Sequence, residues 1–113
     1  PDGNIVVVGR IKDVINRGGE KVPAEEVEAY LLTHEAIRDA AVVGVDDPVL
    51  GEKCVAFVIF REHAVAPASV KSFLRDRGLA TFKIPDKIVA VDEFPRTAVG
   101  KIDKAALRSS VRG

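Results

Sequence analysis

The chain has 113 residues, which fits one domain, and its 17 basic residues balance 17 acidic ones. A 47% hydrophobic content beside 30% charged residues is typical of a globular domain and argues against disorder. Zero net charge excludes a global basic field for nucleic acid, and the apolar runs are far shorter than the ~20 residues of a membrane helix. Because the chain has no methionine, we expect a fragment or a processed piece of something longer.

Strand and helix patterns alternate along the chain. A β-branched run predicts a strand over residues 4–9, and the next segment, residues 10–21, predicts a loop around Gly18 and Gly19. A helix is predicted over residues 23–33, because two acidic residues in its first turn precede apolar residues at helical spacing.

The second half of the chain predicts three strands and two helices. Strands are expected over residues 37–45, 52–61 and 87–91, of which the first two pair and the second is buried on both faces. One helix opens at residue 67 and ends at Gly78, and a last helix is capped by Asp103. The predicted fold class is α+β, a small three-stranded sheet with flanking helices plus an N-terminal strand or hairpin.

Cysteine and histidine predict no metal site. Cys54, the single cysteine, lies in an apolar run and is expected to be a small core residue. It cannot form an intramolecular disulfide, which fits a reducing compartment, and we expect a cytoplasmic protein. His34 and His63 are far apart in sequence without other ligands at metal-binding spacing, so both are expected at the surface.

Two loops carry exposed cations. Residues 95–101 place Lys101 after a flexible glycine, but the phosphate-loop fingerprint fails there, because Pro95 stands where it needs a glycine and Ile102 where it needs a hydroxyl. Several cations surround the glycine pair in the other loop, namely Arg10, Lys12, Arg17 and Lys21. Composition alone leaves two readings open for both loops, anion binding or solvated surface charge.

Two segments together resemble known motifs. Residues 9–22, followed by residues 25–28, resemble the hinge region of acyl-adenylate-forming enzymes, the superfamily of acyl-CoA synthetases, peptide-synthetase adenylation domains and luciferases. Residues 95–104 resemble the catalytic-lysine motif of that superfamily, in the correct order. The resemblance implies that residues 1–113 form the small, mobile C-terminal domain of such an enzyme, whose large N-terminal domain is absent.

A finer resemblance is to stand-alone aryl-acid adenylating enzymes, such as the 2,3-dihydroxybenzoate-AMP ligases of siderophore pathways. It rests on residues 16–21, 50–53 and 73–87. It implies ATP-dependent activation of an aryl carboxylic acid and transfer of the acyl group to the phosphopantetheine thiol of a carrier protein. ATP and Mg²⁺ would be bound mainly by the N-terminal domain. The alternatives are the C-terminal domain of another acyl-CoA synthetase or amino-acid adenylation domain, an inactive carrier-protein docking module, and an unrelated anion-binding domain.

The resemblance also implies site residues. Lys101 would be the catalytic lysine, Arg10 and Lys12 would contact the nucleotide, and Lys12 would be the hinge. Gly18 and Gly19 would line the pantetheine tunnel after the domain rotates. Three further cations stay open between nucleotide, carrier and solvent, namely Arg17, Lys21 and Lys104.

Overall fold

The computed structural model describes residues 13–112. The predicted strand over residues 4–9 lies outside the described residues. The elements are β1 (Val14–Arg17), β2 (Glu20–Pro23), α1 (Ala24–Leu32), β3 (Ile37–Asp47), β4 (Gly51–Phe60), α2 (Pro67–Asp76), a 3₁₀ turn (Thr81–Lys83), β5 (Lys87–Ala90) and α3 (Lys104–Arg112). The three predicted helices and the three predicted strands of the second half are confirmed to within two residues at each boundary that was predicted. None of the helices in this part of the chain is both long and apolar enough to cross a membrane.

The sheet is larger than predicted. Strands β3 and β4 form the predicted antiparallel pair, from Ile37 opposite Phe60 to Asp47 opposite Gly51, and β5 runs parallel to β4. The hairpin β1–β2 adds two further strands through a bridge at Gly51. The α+β class is therefore confirmed, but the three-stranded sheet is corrected to five strands.

The hairpin arises where the sequence predicted only a loop. Each of its strands has four residues, too few for a clear alternation of apolar and polar side chains. Ile15 and Val22 pair across it, and both are buried against the core. The packing of this apolar pair against the core, together with the Gly18–Gly19 pair between the two strands, makes the segment a hairpin.

Both faces of the sheet are covered. Helices α1 and α2 pack on one face, against a cluster that includes Cys54, Ala56 and Val58 of β4. Helix α3 packs through Leu107 on the other face, where Phe57 is buried. The predicted burial of β4 on both sides is confirmed, and each buried aliphatic side chain contributes about 1.5–3 kcal/mol.

Predicted caps and core residues are in place. Asp103 Oδ1 accepts a hydrogen bond from the Ala106 amide at 3.1 Å, and Gly78 ends α2 with φ +94°. Cys54 is fully buried, and burial raises the pKa of its thiol to about 12. The thiol therefore stays protonated at neutral pH and is a core residue, as predicted.

Candidate functional site

The loop that carries Lys101 is a small, hydrogen-bonded hairpin. Arg96 and Ile102 form an antiparallel bridge, and the Thr97 amide donates to the Lys101 carbonyl at 2.8 Å. The chain reverses where the Gly100 amide donates to the Thr97 carbonyl at 2.9 Å, with φ +88° at Gly100. The loop that sequence alone described as flexible therefore holds Lys101 at a defined place before α3.

The Lys101 side chain is exposed. Among residues 13–112, no carboxylate pairs with its ammonium, although acidic residues are common in the chain. An anion that approaches such an ammonium from outside has no intramolecular ion pair to displace. The loop can therefore present one positive charge to a phosphate or carboxylate held by another body.

The glycine pair forms the two-residue turn between β1 and β2. Gly18 and Gly19 have φ of +57° and +88°, the combination that tight β-hairpins require and that L side chains rarely adopt. The loop predicted around the two glycines is therefore a tight turn with positive φ at both. The turn is held to the loop before β4, because the Gly18 amide donates to the Leu50 carbonyl at 2.7 Å.

The two glycines differ in the space around them. A Cβ on Gly18 would lie 3.3 Å from Leu50 Cδ2, whereas a Cβ on Gly19 would meet nothing within 4 Å. Gly19 borders an open depression lined also by Asn16, Leu50, Gly51 and Glu52. Leu50 thus leaves little room for a side chain at position 18, whereas the backbone at Gly19 is open to a ligand.

Arg17 is used inside the domain. Its guanidinium donates to both oxygens of Asp86, at 2.6–3.0 Å, and Asp86 Oδ2 also accepts from the Cys54 amide at 2.8 Å. Burial opposes the charge on Asp86, but these hydrogen bonds outweigh it and lower the pKa of the carboxyl. Arg17 therefore fastens β1 to the segment before β5, a structural contact that the sequence did not predict.

Lys104 is also paired internally. Its ammonium lies 2.5 Å from Asp13 Oδ2 and 2.9 Å from Glu28 Oε2. Burial opposes its charge, but the hydrogen bonds to the two carboxylates outweigh burial and raise the pKa of Lys104. Lys21 alone of the three open cations stays exposed, with a long contact of 3.4 Å to Asn16 Oδ1.

Sequence reasoning missed the acidic partners of these cations. These partners lie 69 to 91 residues along the chain from the cations that they bind, and no local motif marks them. They are Asp13, Glu28 and Asp86. Within the described range, no three residues among His, Cys, Asp and Glu are placed to hold a metal ion. Arg10 and Lys12 lie outside the described residues, so their assignments remain predictions.

Replacing Asp86 by asparagine is expected to lower the free energy of unfolding by about 2 kcal/mol at pH 7, because Arg17 loses its counter-charge. The folded pKa of Asp86 lies below its unfolded value. Its contribution is therefore present above about pH 4 and is lost as the pH falls through the folded pKa. Urea unfolding between pH 2 and pH 7 should show a flatter acid limb in Asp86→Asn. Asp76→Asn, at an exposed site on α2, is the control, and an equal effect there would contradict the assignment.

Comparison with known proteins identifies the family. Residues 26–101 match the family model of the AMP-binding enzyme C-terminal domain. The chain is 59% identical over 109 residues to triostin synthetase I of Streptomyces triostinicus, covering 96% of the chain and 21% of that protein. It is 56% identical over 110 residues to the 2,3-dihydroxybenzoate-AMP ligase of Bacillus subtilis, covering 97% of the chain and 20% of that ligase.

Among solved structures, the apo structure of Mycobacterium smegmatis MbtA superposes with a TM-score of 0.85 at 46% identity, covering 89% of this chain and 19% of that one. The chain thus spans about one fifth of the length of the curated relatives it matches. The strands β3 to β5 lie within the matched segment, and Lys101 is its last residue. The chain belongs to the AMP-binding enzyme C-terminal domain family, the small domain of acyl-adenylate-forming enzymes.

Proposed function

We propose that this domain is the mobile C-terminal part of an ATP-dependent aryl-acid AMP ligase. The observation that carries the proposal is Lys101, whose exposed ammonium pairs with no carboxylate among residues 13–112. It is held on a hydrogen-bonded hairpin and is the last residue of the segment that matches the family. The likeness to a 2,3-dihydroxybenzoate-AMP ligase supports an aryl acid as the substrate class. An acyl-CoA synthetase for other acids and an amino-acid adenylation domain are the competing members of the family.

Lys101 suits the first half-reaction. In that step a carboxylate attacks the α-phosphate of ATP, so two anions must approach and negative charge gathers between them. An ammonium placed there neutralises this charge, and a lysine is a compact cation on a flexible stem. The residues present fit a phosphate, because the Lys101 ammonium has no competing carboxylate among the described residues.

The nucleotide would be held mainly by the large N-terminal domain. ATP supplies the activated phosphoryl group and pyrophosphate as the leaving group, and Mg²⁺ would be bound by that domain as well. Arg10 would contact the nucleotide at the boundary, and Lys12, directly before the described residues, would be the hinge. The small domain would contribute Lys101 to the reacting groups, and its rotation would bring Lys101 to them.

The second half-reaction uses another face of the domain. Rotation at Lys12 would withdraw Lys101 and bring the Gly18–Gly19 turn to the cleft. The open backbone at Gly19 would then lie along the phosphopantetheine arm of an aryl or peptidyl carrier protein, in the cytoplasm. The partners are therefore the N-terminal domain, the aryl carboxylic acid and the carrier protein.

Acid-dependent exchange of pyrophosphate into ATP tests this function. The full-length enzyme is expected to catalyse exchange with dihydroxybenzoate or salicylate, and at least about tenfold less with amino acids or fatty acids, because only matched acids are positioned for attack. The 113-residue domain alone should show none, since it holds one half of the site. Exchange that needs an amino acid or a fatty acid would assign the protein to a competing member of the family.

A further inference from the structure

Lys104 occupies an unusual place for a lysine. It is the first residue of α3 and so lies at the N-terminal end of the helix, where the macrodipole disfavours a positive charge. No acidic residue lies in the first turn of α3. Its side chain is only 23% exposed, so it is not a freely solvated cation. Something other than helix stability must hold it there.

The contacts of Lys104 join distant parts of the domain. Asp13 is the first described residue, directly after the predicted hinge Lys12, and Glu28 lies on α1. Glu28 Oε2 also accepts the Val42 amide of β3 at 2.8 Å. One ammonium therefore connects the point where the chain enters the domain with a helix and the edge of the sheet.

Lys104 is also close to Lys101 along the chain. The Asp103 amide donates to the Pro95 carbonyl at 2.8 Å, which closes the base of the Lys101 hairpin one residue before Lys104. The hairpin is thus tied to the start of α3 by this hydrogen bond and by the chain itself, and the Lys104 ammonium links the start of α3 to Asp13. Rotation at residue 12 would reach the hairpin through this path.

We propose that Lys104 is a positioning residue, which couples the hinge segment at Asp13 to the Lys101 hairpin so that both turn as one body. The inference rests on the proposed function. The Gly18–Gly19 turn needs no such link, because it follows Asp13 directly through β1. Loss of Lys104 should therefore impair the step that uses Lys101 more than the step that uses the glycine turn.

Lys83 is a matched control. It is also a lysine paired with a carboxylate on α1, at 2.8 Å from Glu26 Oε1, and its side chain is 22% exposed. Within the described residues, the hydrogen bond and ion pair of the Lys83 ammonium involve Glu26, and neither involves Asp13 or α3. Lys83→Met and Lys104→Met thus each remove a pair between a lysine and a carboxylate of α1, and only Lys104→Met also removes a pair with the hinge segment, at Asp13.

The test measures both half-reactions in the full-length enzyme. Lys104→Met and Asp13→Asn are expected to lower kcat of acid-dependent exchange by about tenfold with KM nearly unchanged, because misplacement of one group is costly. Thioester formation from preformed adenylate should change less than about twofold, Lys83→Met should change neither, and Lys104→Arg should retain most activity. The double variant Asp13→Asn with Lys104→Met should be no slower than Lys104→Met alone, because both substitutions remove the same contact between Asp13 and Lys104.

Hydrogen exchange gives a readout independent of catalysis. The amides of Thr97, Gly100 and Asp103 should exchange about tenfold faster in Lys104→Met and Asp13→Asn, and not in Lys83→Met. Asp13→Asn keeps the inference testable if Lys104→Met does not fold. Equal losses in both half-reactions, or the same losses in Lys83→Met, would overturn the inference alone. A wild-type enzyme without acid-dependent exchange would overturn the proposed function and the inference with it.

Discussion

Lys101→Ala in the full-length enzyme is expected to reduce adenylate formation by about 10²–10³-fold, the usual cost of removing one group that stabilises transition-state charge. The hairpin should keep its shape, because its hydrogen bonds use the backbone and the side chains of Arg96 and Thr97. The Lys101 ammonium pairs with no carboxylate of residues 13–112. Pyrophosphate exchange measures this first step. Thioester formation from preformed adenylate should be nearly unchanged, because Lys101 is withdrawn in that orientation.

Two further variants define the role of the charge. Lys101→Arg keeps the charge but replaces a compact ammonium by a planar fork, so partial recovery of exchange is expected. Lys87→Ala removes another exposed lysine, on β5, and should leave both steps intact. Equal loss of both half-reactions in Lys101→Ala would contradict a domain that presents different faces in turn.

Gly19→Ala is expected to have the opposite selectivity. The new Cβ meets nothing inside the domain, so an effect beyond the backbone strain at φ +88° must come from what approaches the turn from outside. If that is the pantetheine arm, thioester formation should fall by about tenfold or more while pyrophosphate exchange is retained. Quenched time courses with carrier protein and preformed adenylate measure the thioester step directly.

Gly78→Ala separates this effect from backbone strain. Gly78 has φ +94° and equally open space around its missing Cβ, but it ends α2 away from the glycine turn. Both variants should lose about 1–2 kcal/mol of unfolding free energy, because alanine is strained at positive φ. An equal loss of thioester formation in Gly78→Ala would show that the tunnel assignment of Gly19 is wrong.

Local patterns were sufficient for most of the elements. Helical spacing after Glu25 and Glu26 predicted α1, the apolar run around Cys54 predicted a doubly buried β4, and Gly78 marked the end of α2. Each of these signals lies within one turn or one strand, where side-chain periodicity and backbone preferences act directly. The family, too, could be recognised from the residues of two continuous segments.

What each cation does was decided by the tertiary structure. The sequence alone did not distinguish the roles of Arg17, Lys21 and Lys104. It also predicted a loop for the segment before the glycine turn. Folding brings Asp86 to Arg17 across 69 residues and Asp13 to Lys104 across 91, which neutralises both cations. No carboxylate in the described part of the chain pairs with Lys101. Pairing over such separations depends on how the sheet and helices pack, and no local pattern records it. The sequence thus determined the elements and the family, whereas the packing decided which positive charges stay available to a ligand.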